Sequence, residues 1–135
     1  MPPGHRLFTT TLSDVLASEP LLAGVRVLDL CDQTGDAIGR LLADLGADVI
    51  KVEPPGGSAA RRALPTLDGG VSIPFALHNA NKRTIVLDPA DTDDRRQFLE
   101  LAGGSDIVVD SGGRPGWRPR SARRATHWPI SSRTW

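Results

Sequence analysis

Acidic residues and glycines follow the short apolar runs of this 135-residue sequence, and their spacing indicates nucleotide chemistry. The run from Asp48 to Glu53 ends on an acid and leads into Pro54-Pro55-Gly56-Gly57. In dinucleotide-binding folds an acid at this strand tip binds a ribose, and Gly-x-Gly-x-x-Gly after the first strand admits the pyrophosphate. Here that segment reads Gly35-Asp-Ala-Ile-Gly39, which lacks two of the three glycines and places Asp36 near a phosphate. A dinucleotide site is therefore disfavoured, and the ligand of Glu53 stays open.

The other reactive side chains give weak signals. His5, His78 and His127 are scattered without the spacing of metal ligands, so we expect no metal site. The single cysteine, Cys31, follows an apolar run, and we interpret it as a small buried residue rather than a reactive thiol. A chain with one cysteine forms no intrachain disulfide, which fits a reducing, cytoplasmic location. We also expect no signal peptide and no membrane span, because the first twenty residues contain charges and no long apolar run.

Alternating apolar runs predict the elements that must position these residues. The predicted strands are 25–30, 48–53, 84–88 and 106–110, and the predicted helices are 36–45, 72–79 and 92–102. The intervening stretch 54–70 is rich in Gly, Pro and Arg and is predicted to be a loop. Short apolar strands alternating with helices indicate an α/β fold with a Rossmann-like parallel sheet between flanking helices. Ligands of such sheets bind beyond the carboxyl ends of the strands.

Two of the predicted helices show clear start and stop signals. Asp36 favours the start of the first and Gly46 ends it, while Asp91 caps the last and Gly103-Gly104 ends it. Each helix also has apolar residues at helical spacing. These residues are Ile38, Leu41, Leu42 and Leu45 in the first helix, and Phe98, Leu99 and Ala102, predicted to face the core, in the last.

Charge divides the sequence near Gly113. The net charge is zero, but all sixteen acids lie at or before Asp110. Residues 114–135 hold six arginines, no acid and all three tryptophans. We therefore predict a leader at 1–20, an incomplete Rossmann-like half-domain at 21–113 and an irregular basic tail at 114–135. We interpret the tail as the product of a shifted reading frame, and keep an arm that binds nucleic acid or a membrane as the alternative.

Four blocks carry a family resemblance. They read "GVRVLDL", "GRLLADLGADVIKVEPPGG", "HNANKRTIVLD" and "DIVVDSGGRPGW". In this order and spacing, over roughly residues 20–117, the chain resembles the family III CoA-transferases, also called the CaiB/BaiF family. That family includes formyl-CoA transferase, carnitine CoA-transferase and α-methylacyl-CoA racemase. The resemblance implies that Glu53 ends the second strand of a half-domain that cradles CoA rather than NAD.

The resemblance also implies a set of CoA-binding residues at the strand tips. They are Asp32, Gln33, Thr34 and Gly35 after the first strand, Leu87 and Asp88 after the third, and Ser111 and Gly112 after the fourth. We add Arg61 and Arg62 on physical grounds, because guanidinium groups pair well with phosphate, although they could equally be solvated loop residues. In the matching motif, Arg83 joins the predicted CoA-binding set, Asn81 could fix a turn, and Lys82 could be a surface charge.

The sequence departs from the family pattern in two places. The family usually has an Ala-Gly-Pro-like segment after the first strand, whereas here Thr34-Gly35-Asp36 is one residue shorter. The family's catalytic aspartate, which forms an acyl anhydride in the transferases, lies well beyond the fourth strand in sequence that this chain does not contain. We therefore assign no catalytic residue, do not give that role to Asp88 or Asp110, and expect the chain alone to be inactive.

Three functions follow as expectations. As part of a family III enzyme, the chain would help to move CoA between carboxylic acids or to epimerise an acyl-CoA, with a CoA thioester and a small carboxylic acid as substrates and an interlocked homodimer as the assembly. The alternatives are a catalytically empty CoA-binding remnant and, least favoured, a fragment of an NAD-dependent oxidoreductase. An isolated half-domain would expose an apolar strand edge, so we predict low solubility.

Overall fold

A computed structural model describes residues 18–112 and 116–117. The elements in chain order are β1 (Arg26–Asp29), α1 (Asp36–Asp44), β2 (Asp48–Glu53), a 3₁₀ helix (Ala59–Arg62), α2 (Ile73–Asn79), β3 (Arg83–Val86), α3 (Thr92–Gly103) and β4 (Ile107–Val109). Most of the predicted leader and most of the predicted tail lie outside the described residues. Within the described part, no helix is both long enough and apolar enough to cross a bilayer.

The four strands form one parallel sheet in the order β3-β2-β1-β4. The predicted α/β fold with a parallel sheet is therefore confirmed. Because all strands point the same way, the loops that follow them leave at one edge of the sheet, which we call the carboxyl edge, and the opposite edge is the amino edge. β2 and then β3 lie on one side of β1, and β4 lies on the other. The strand order thus reverses between β1 and β4, where open sheets of this kind bind ligands.

Apolar side chains form a cluster on each face of the sheet. The larger cluster comprises Leu28, Leu30, Val52, Leu87, Phe98 and Trp117. The smaller cluster comprises Val27, Ala47 and Val49, with Leu22, Leu42 and Ala43 packed against it. Since Phe98 belongs to α3 and Leu42 to α1, each face of the sheet is covered by one of these helices.

The larger cluster extends beyond the predicted end of the half-domain. Trp117 is only 6% exposed, and its ring centre lies 4.4 Å from that of Phe98. Trp117 lies within residues 114–135, which were predicted from their charge composition to be the tail. The change in composition at Gly113 is therefore not the end of the folded core.

In two helices, some of the apolar residues at helical spacing are exposed and do not face the sheet. In α1, Ile38 and Leu41 are 52% and 60% exposed, and the buried positions are instead Asp36 and Gly39. The reason is a set of charged partners beneath this helix, described below. In α3, Leu99 is 64% exposed, because it lies about 100° around the helix from Phe98, which faces the core. The prediction that Leu99 faces the core is wrong.

The capping prediction for Asp91 and the turn predictions for Gly46 and Asn81 are confirmed, whereas no side chain caps α1, because the Asp36 carboxylate binds Lys51 instead. Asp91 Oδ1 accepts hydrogen bonds from the backbone N–H groups of Asp93 at 2.8 Å and Asp94 at 3.0 Å. Gly46, which follows α1, has a φ of +99°, and Asn81, which precedes β3, has a φ of +65°. Both angles lie in the left-handed region that glycine and asparagine tolerate best. The edge strand β3 exposes Val86, as expected for an apolar edge, while low solubility stays a prediction.

Adjacent positions on α3 offer a direct test of this packing. We expect Phe98→Ala to lower the free energy of unfolding by about 3–5 kcal/mol, because it leaves a cavity beside Trp117. Leu99→Ala, the matched control one residue away, should change it by about 0.5 kcal/mol or less. Urea denaturation followed by circular dichroism measures both values. Equal losses in the two variants would contradict the described orientation of α3.

Candidate functional site

The segments that follow β1 and β4 meet at the carboxyl edge, where the strand order reverses. The Ser111 hydroxyl donates to Asp32 Oδ1 at 3.0 Å and accepts from the Asp32 backbone N–H at 3.2 Å. The Thr34 N–H also donates to Asp32 Oδ1, at 3.1 Å. The bonds from Thr34 and Ser111 lower the pKa of Asp32, so its carboxylate is ionised at neutral pH. This junction brings together the predicted residues of 32–35 with Ser111 and Gly112.

Gly35 determines how closely the two segments approach. A Cβ at this buried position would lie 2.7 Å from Cys31 Sγ and 3.1 Å from Ser111 Cβ. Only glycine therefore allows the loop after β1 to lie against the end of β4. The neighbouring side chains of Gln33 and Thr34 are exposed at the carboxyl edge. The junction thus combines a fixed backbone with side chains that a ligand can reach.

A buried ammonium group lies beneath the junction. Lys82 Nζ donates to Asp29 Oδ2 at 2.8 Å, to Asn79 Oδ1 at 2.9 Å and to the Asp36 backbone carbonyl at 2.7 Å. The Lys82 side chain is 1% exposed, so the interpretation of this lysine as a surface charge is wrong. A Cβ at Gly39 would lie 3.0 Å from Lys82 Nζ and still closer to Asp29, which explains why α1 presents a glycine here. Lys82 thereby joins the end of α2 to β1 and to the start of α1.

A second buried ammonium group comes from the middle of β2. Lys51 is fully buried, and its Nζ donates to Asp36 Oδ1 and, at 2.9 Å, to the Cys31 carbonyl. The other Asp36 oxygen, Oδ2, accepts from Asn79 Nδ2 at 3.0 Å. Two buried lysines are thus matched by two buried carboxylates, as the high cost of an unpaired buried charge requires.

Glu53 binds its own loop rather than facing a ligand. Its buried carboxylate accepts from Arg61 Nε and Nη2 and from the Ser58 N–H, each at 2.7 Å. Burial alone would raise the pKa of Glu53, but the bonds from Arg61 and Ser58 outweigh it and hold the pKa below its usual value. The Arg61 guanidinium also lies 4.3 Å from the centre of the Phe75 ring. The partner of Glu53 is therefore the loop after β2, and Arg61 uses two of its donors there.

The other predicted residues after β2 and β3 have unequal access to a ligand. Arg62 is exposed at the end of the 3₁₀ helix. The Leu87 side chain lies in the larger apolar cluster, so only its backbone could touch a ligand. Asp88 shapes the turn into α3, because its Oδ1 accepts from the Ala90 N–H at 2.8 Å and its own N–H donates to Asp94 Oδ2 at 2.7 Å.

Arg83 lies away from the other candidates. It is the first residue of β3, and it forms a two-pronged pair with Asp48, the first residue of β2. The distances are 2.9 Å from Arg83 Nε to Asp48 Oδ1 and 2.6 Å from Nη2 to Oδ2. Both residues are at the amino edge, so the structure does not bring Arg83 into the cluster of predicted binding residues.

The described residues at this edge contain neither a reactive thiol nor a group of residues that could hold a metal ion. Cys31 is buried, and burial first and then the Asp29 charge raise its pKa to about 12. A thiol with so high a pKa is almost wholly protonated at neutral pH, which agrees with its interpretation as a buried residue. Among residues 18–112 and 116–117, no group of three His, Cys, Asp or Glu residues could hold a metal ion.

Sequence reasoning missed the buried pairs, although one signal for them was present. Lys51 interrupts the apolar run of β2, a strand predicted to be covered on both faces. A lysine at such a position needs a buried carboxylate, and Asp29 and Asp36 are acids close to the end of the neighbouring strand. Their pairing with specific lysines depends on the sheet order, which the sequence pattern does not supply.

The hydrogen bonds from Arg61 and Ser58 to Glu53 predict a contribution to stability that depends on pH. We expect Glu53→Gln to lower the free energy of unfolding by about 1–3 kcal/mol at neutral pH, because Arg61 loses its ionised acceptor. Since folding lowers the Glu53 pKa, this contribution is fully present above the unfolded-state pKa of about 4.3 and is lost as the pH falls through the lower folded-state value. The difference between wild type and variant should therefore shrink as the pH is lowered from about 5 to about 3.

Urea denaturation at several pH values measures this difference. Glu100→Gln removes an exposed carboxylate from α3, and as the control it should change the free energy of unfolding by about 0.5 kcal/mol or less at each pH. A Glu53→Gln effect that stays constant across the acidic range would contradict the assigned ionised pair.

Comparison with known proteins places this geometry in a family. Residues 22–122 match the model of CoA-transferase family III. A probable CoA-transferase of Mycobacterium tuberculosis is 64% identical over 85 residues, which cover 62% of this chain and 11% of that protein. The formyl-CoA:oxalate CoA-transferase of Streptomyces coelicolor is 41% identical over 93 residues, which cover 68% of this chain and 23% of that enzyme.

A solved structure agrees with the fold. The crystal structure of a CaiB/BaiF family protein from Brucella suis matches with a TM-score of 0.60 and 33% identity, over 65% of this chain and 25% of that one. The chain thus spans between about a tenth and a quarter of the length of these relatives. Since the family model covers most of the sequence, the chain belongs to CoA-transferase family III.

Proposed function

We propose that the carboxyl edge of this sheet binds a CoA thioester, as the N-terminal part of the substrate site of a family III CoA-transferase. The observation that carries the proposal is the junction between Asp32 and Ser111 at the reversal of strand order. It links the loop after β1 to the segment after β4 and leaves Gln33 and Thr34 exposed beside the junction. A long, flexible ligand such as CoA gains affinity from backbone that is already ordered before it binds.

The charged groups of the loop after β2 suit the phosphates of CoA. Arg62 is exposed and takes no ion pair within the described residues. Arg61 is held by Glu53 and Phe75, so it serves mainly to fix the loop that carries Arg62. The backbone at Leu87 and the turn at Asp88 complete the proposed edge. A guanidinium group that is not already paired is the natural partner for a phosphate.

Three carboxylates near this edge are unsuited to the nucleophilic step. Asp32 is held by Thr34 and Ser111, while Asp29 and Asp36 are buried against lysines. A nucleophile must be able to reach the thioester carbon, and these groups are fixed in other contacts. We therefore propose that the segment binds CoA without turnover. Transfer of CoA to a small carboxylic acid, or epimerisation of an acyl-CoA, requires the further sequence of a whole family member and its homodimeric assembly.

Calorimetric titration of the 135-residue chain with CoA tests the binding function, with NAD as the control ligand. We expect saturable binding of CoA and no response to NAD. The same sample, given acetyl-CoA and a carboxylic acid acceptor, should release no new thioester. Binding of NAD in preference to CoA would overturn the proposal, and measurable CoA transfer would show that the chain itself supplies a nucleophile.

A pair of arginine variants then locates the bound phosphates. Arg62→Ala should weaken CoA binding about tenfold, equivalent to about 1.4 kcal/mol, because it removes a cation from the carboxyl edge. Arg26→Ala removes the same charge from the amino edge, where Arg26 begins β1, and should leave the affinity unchanged. The comparison is made by titration at fixed salt, and an equal effect of both variants would mean that only overall charge matters.

A further inference from the structure

Lys51 joins the two ends of the loop that follows β1. Its Nζ donates to the Cys31 carbonyl at 2.9 Å, at the start of the loop, and to Asp36 Oδ1, at the first residue of α1. Lys51 and Asp36 are 0% and 1% exposed. One buried ammonium group therefore restrains the points at which the loop leaves the strand and enters the helix.

Further contacts hold the same two points. The Cys31 N–H donates to Asp29 Oδ1 at 2.8 Å, and Asn79 Nδ2 donates to Asp36 Oδ2 at 3.0 Å. The Gly35 and Asp36 N–H groups both donate to the Asp32 carbonyl, at 3.0 and 2.9 Å. Asp32, which lies between the two anchors, is the residue that hydrogen-bonds to Ser111. Lys51 thus restrains both ends of the loop, through the Cys31 carbonyl and the Asp36 carboxylate.

Asp36 is also where the sequence departs from the family pattern. The Ala-Gly-Pro-like segment expected after the first strand reads Thr34-Gly35-Asp36 here. Proline has no side-chain acceptor, whereas Asp36 supplies a carboxylate to Lys51.

We propose that Asp36 and Lys51 are positioning residues that hold the loop 32–35 in the conformation that binds CoA. This inference rests on the proposed function, because it assigns the pair a role in that same site. Neither side chain reaches the ligand, since both are buried beneath the loop. Their effect is to keep the loop backbone ordered, so that the cost of ordering it is not subtracted from the affinity.

The double variant Asp36→Ala/Lys51→Met tests the pair without leaving a buried charge unpaired. Removing both charges together avoids the large penalty of removing one partner alone. We expect the variant to fold cooperatively and to bind CoA at least tenfold more weakly. The matched control Asp93→Ala/Arg96→Met removes the exposed ion pair of α3, whose side chains are 78% and 69% exposed, and should leave the affinity unchanged.

Cys31 provides a second readout that does not depend on CoA. Gly35 lies against the thiol of this single cysteine, so displacement of the loop should expose it to N-ethylmaleimide. We expect labelling, followed by mass spectrometry, to be at least tenfold faster in the double variant and unchanged in the control. Loss of the Lys51 charge would by itself raise the Cys31 pKa and slow the reaction, so acceleration reports access to the thiol. The labelling rate of the double variant should not rise further when a low concentration of urea is added, as expected for local rather than global opening.

The outcomes separate this inference from the proposed function. If the wild type fails to bind CoA, the proposed function fails, whereas unchanged labelling of the double variant overturns the positioning pair. Faster labelling with unaltered CoA affinity removes the role of the pair in binding and leaves the proposed function standing. Hydrogen exchange of the wild type gives a measurement that needs no variant. The Gly35 and Asp36 amides should be protected from exchange to the same degree as the amides of β1. Exchange at the rate of an unstructured peptide would overturn the inference.

Discussion

Two lysine ammonium groups without access to water constrain the rest of this domain. Lys51 and Lys82 together join β1, α1, β2 and the end of α2, and each requires a carboxylate at hydrogen-bonding distance. Losing one partner of such a pair costs about 3–5 kcal/mol, more than most single apolar contacts contribute. The pairing of Asp36 with Lys51, and the lack of space for a side chain at Gly39, therefore determine which face of α1 packs on the sheet. Ile38 and Leu41 on α1 stay exposed as a result.

Local features of the fold could be predicted from the sequence because their causes are local. The apolar run of β2 has the predicted bounds, and Asp91 caps α3 as its position before the helix indicates. The contacts that specify orientation are not local. Lys82 finds Asp29 at a separation of 53 residues, and only the order of strands in the sheet explains why these two side chains meet. Helical spacing likewise could not show that Leu99 faces water while Phe98 does not.

The candidate site divides in the same way. The resemblance to a family placed Asp32 and Ser111 in one site, and the structure joins them although 79 residues separate them. Residue type alone gave a poorer guide to roles. Glu53 left its ligand open in the sequence and holds its own loop in the structure, and Arg83 matched a motif but pairs with Asp48 at the other edge. A charged residue in a matched motif can thus serve the fold without touching the substrate.

The stacking of Trp117 on Phe98 bears on how this domain can be handled in the laboratory. Net charge and composition both change near Gly113, which makes that glycine an inviting end point for a shortened clone. Cutting there would strip one aromatic ring from the larger apolar cluster and leave the Phe98 ring open to solvent on that side. A tag or fusion partner is better joined downstream of Trp117, so that the indole continues to cover the core.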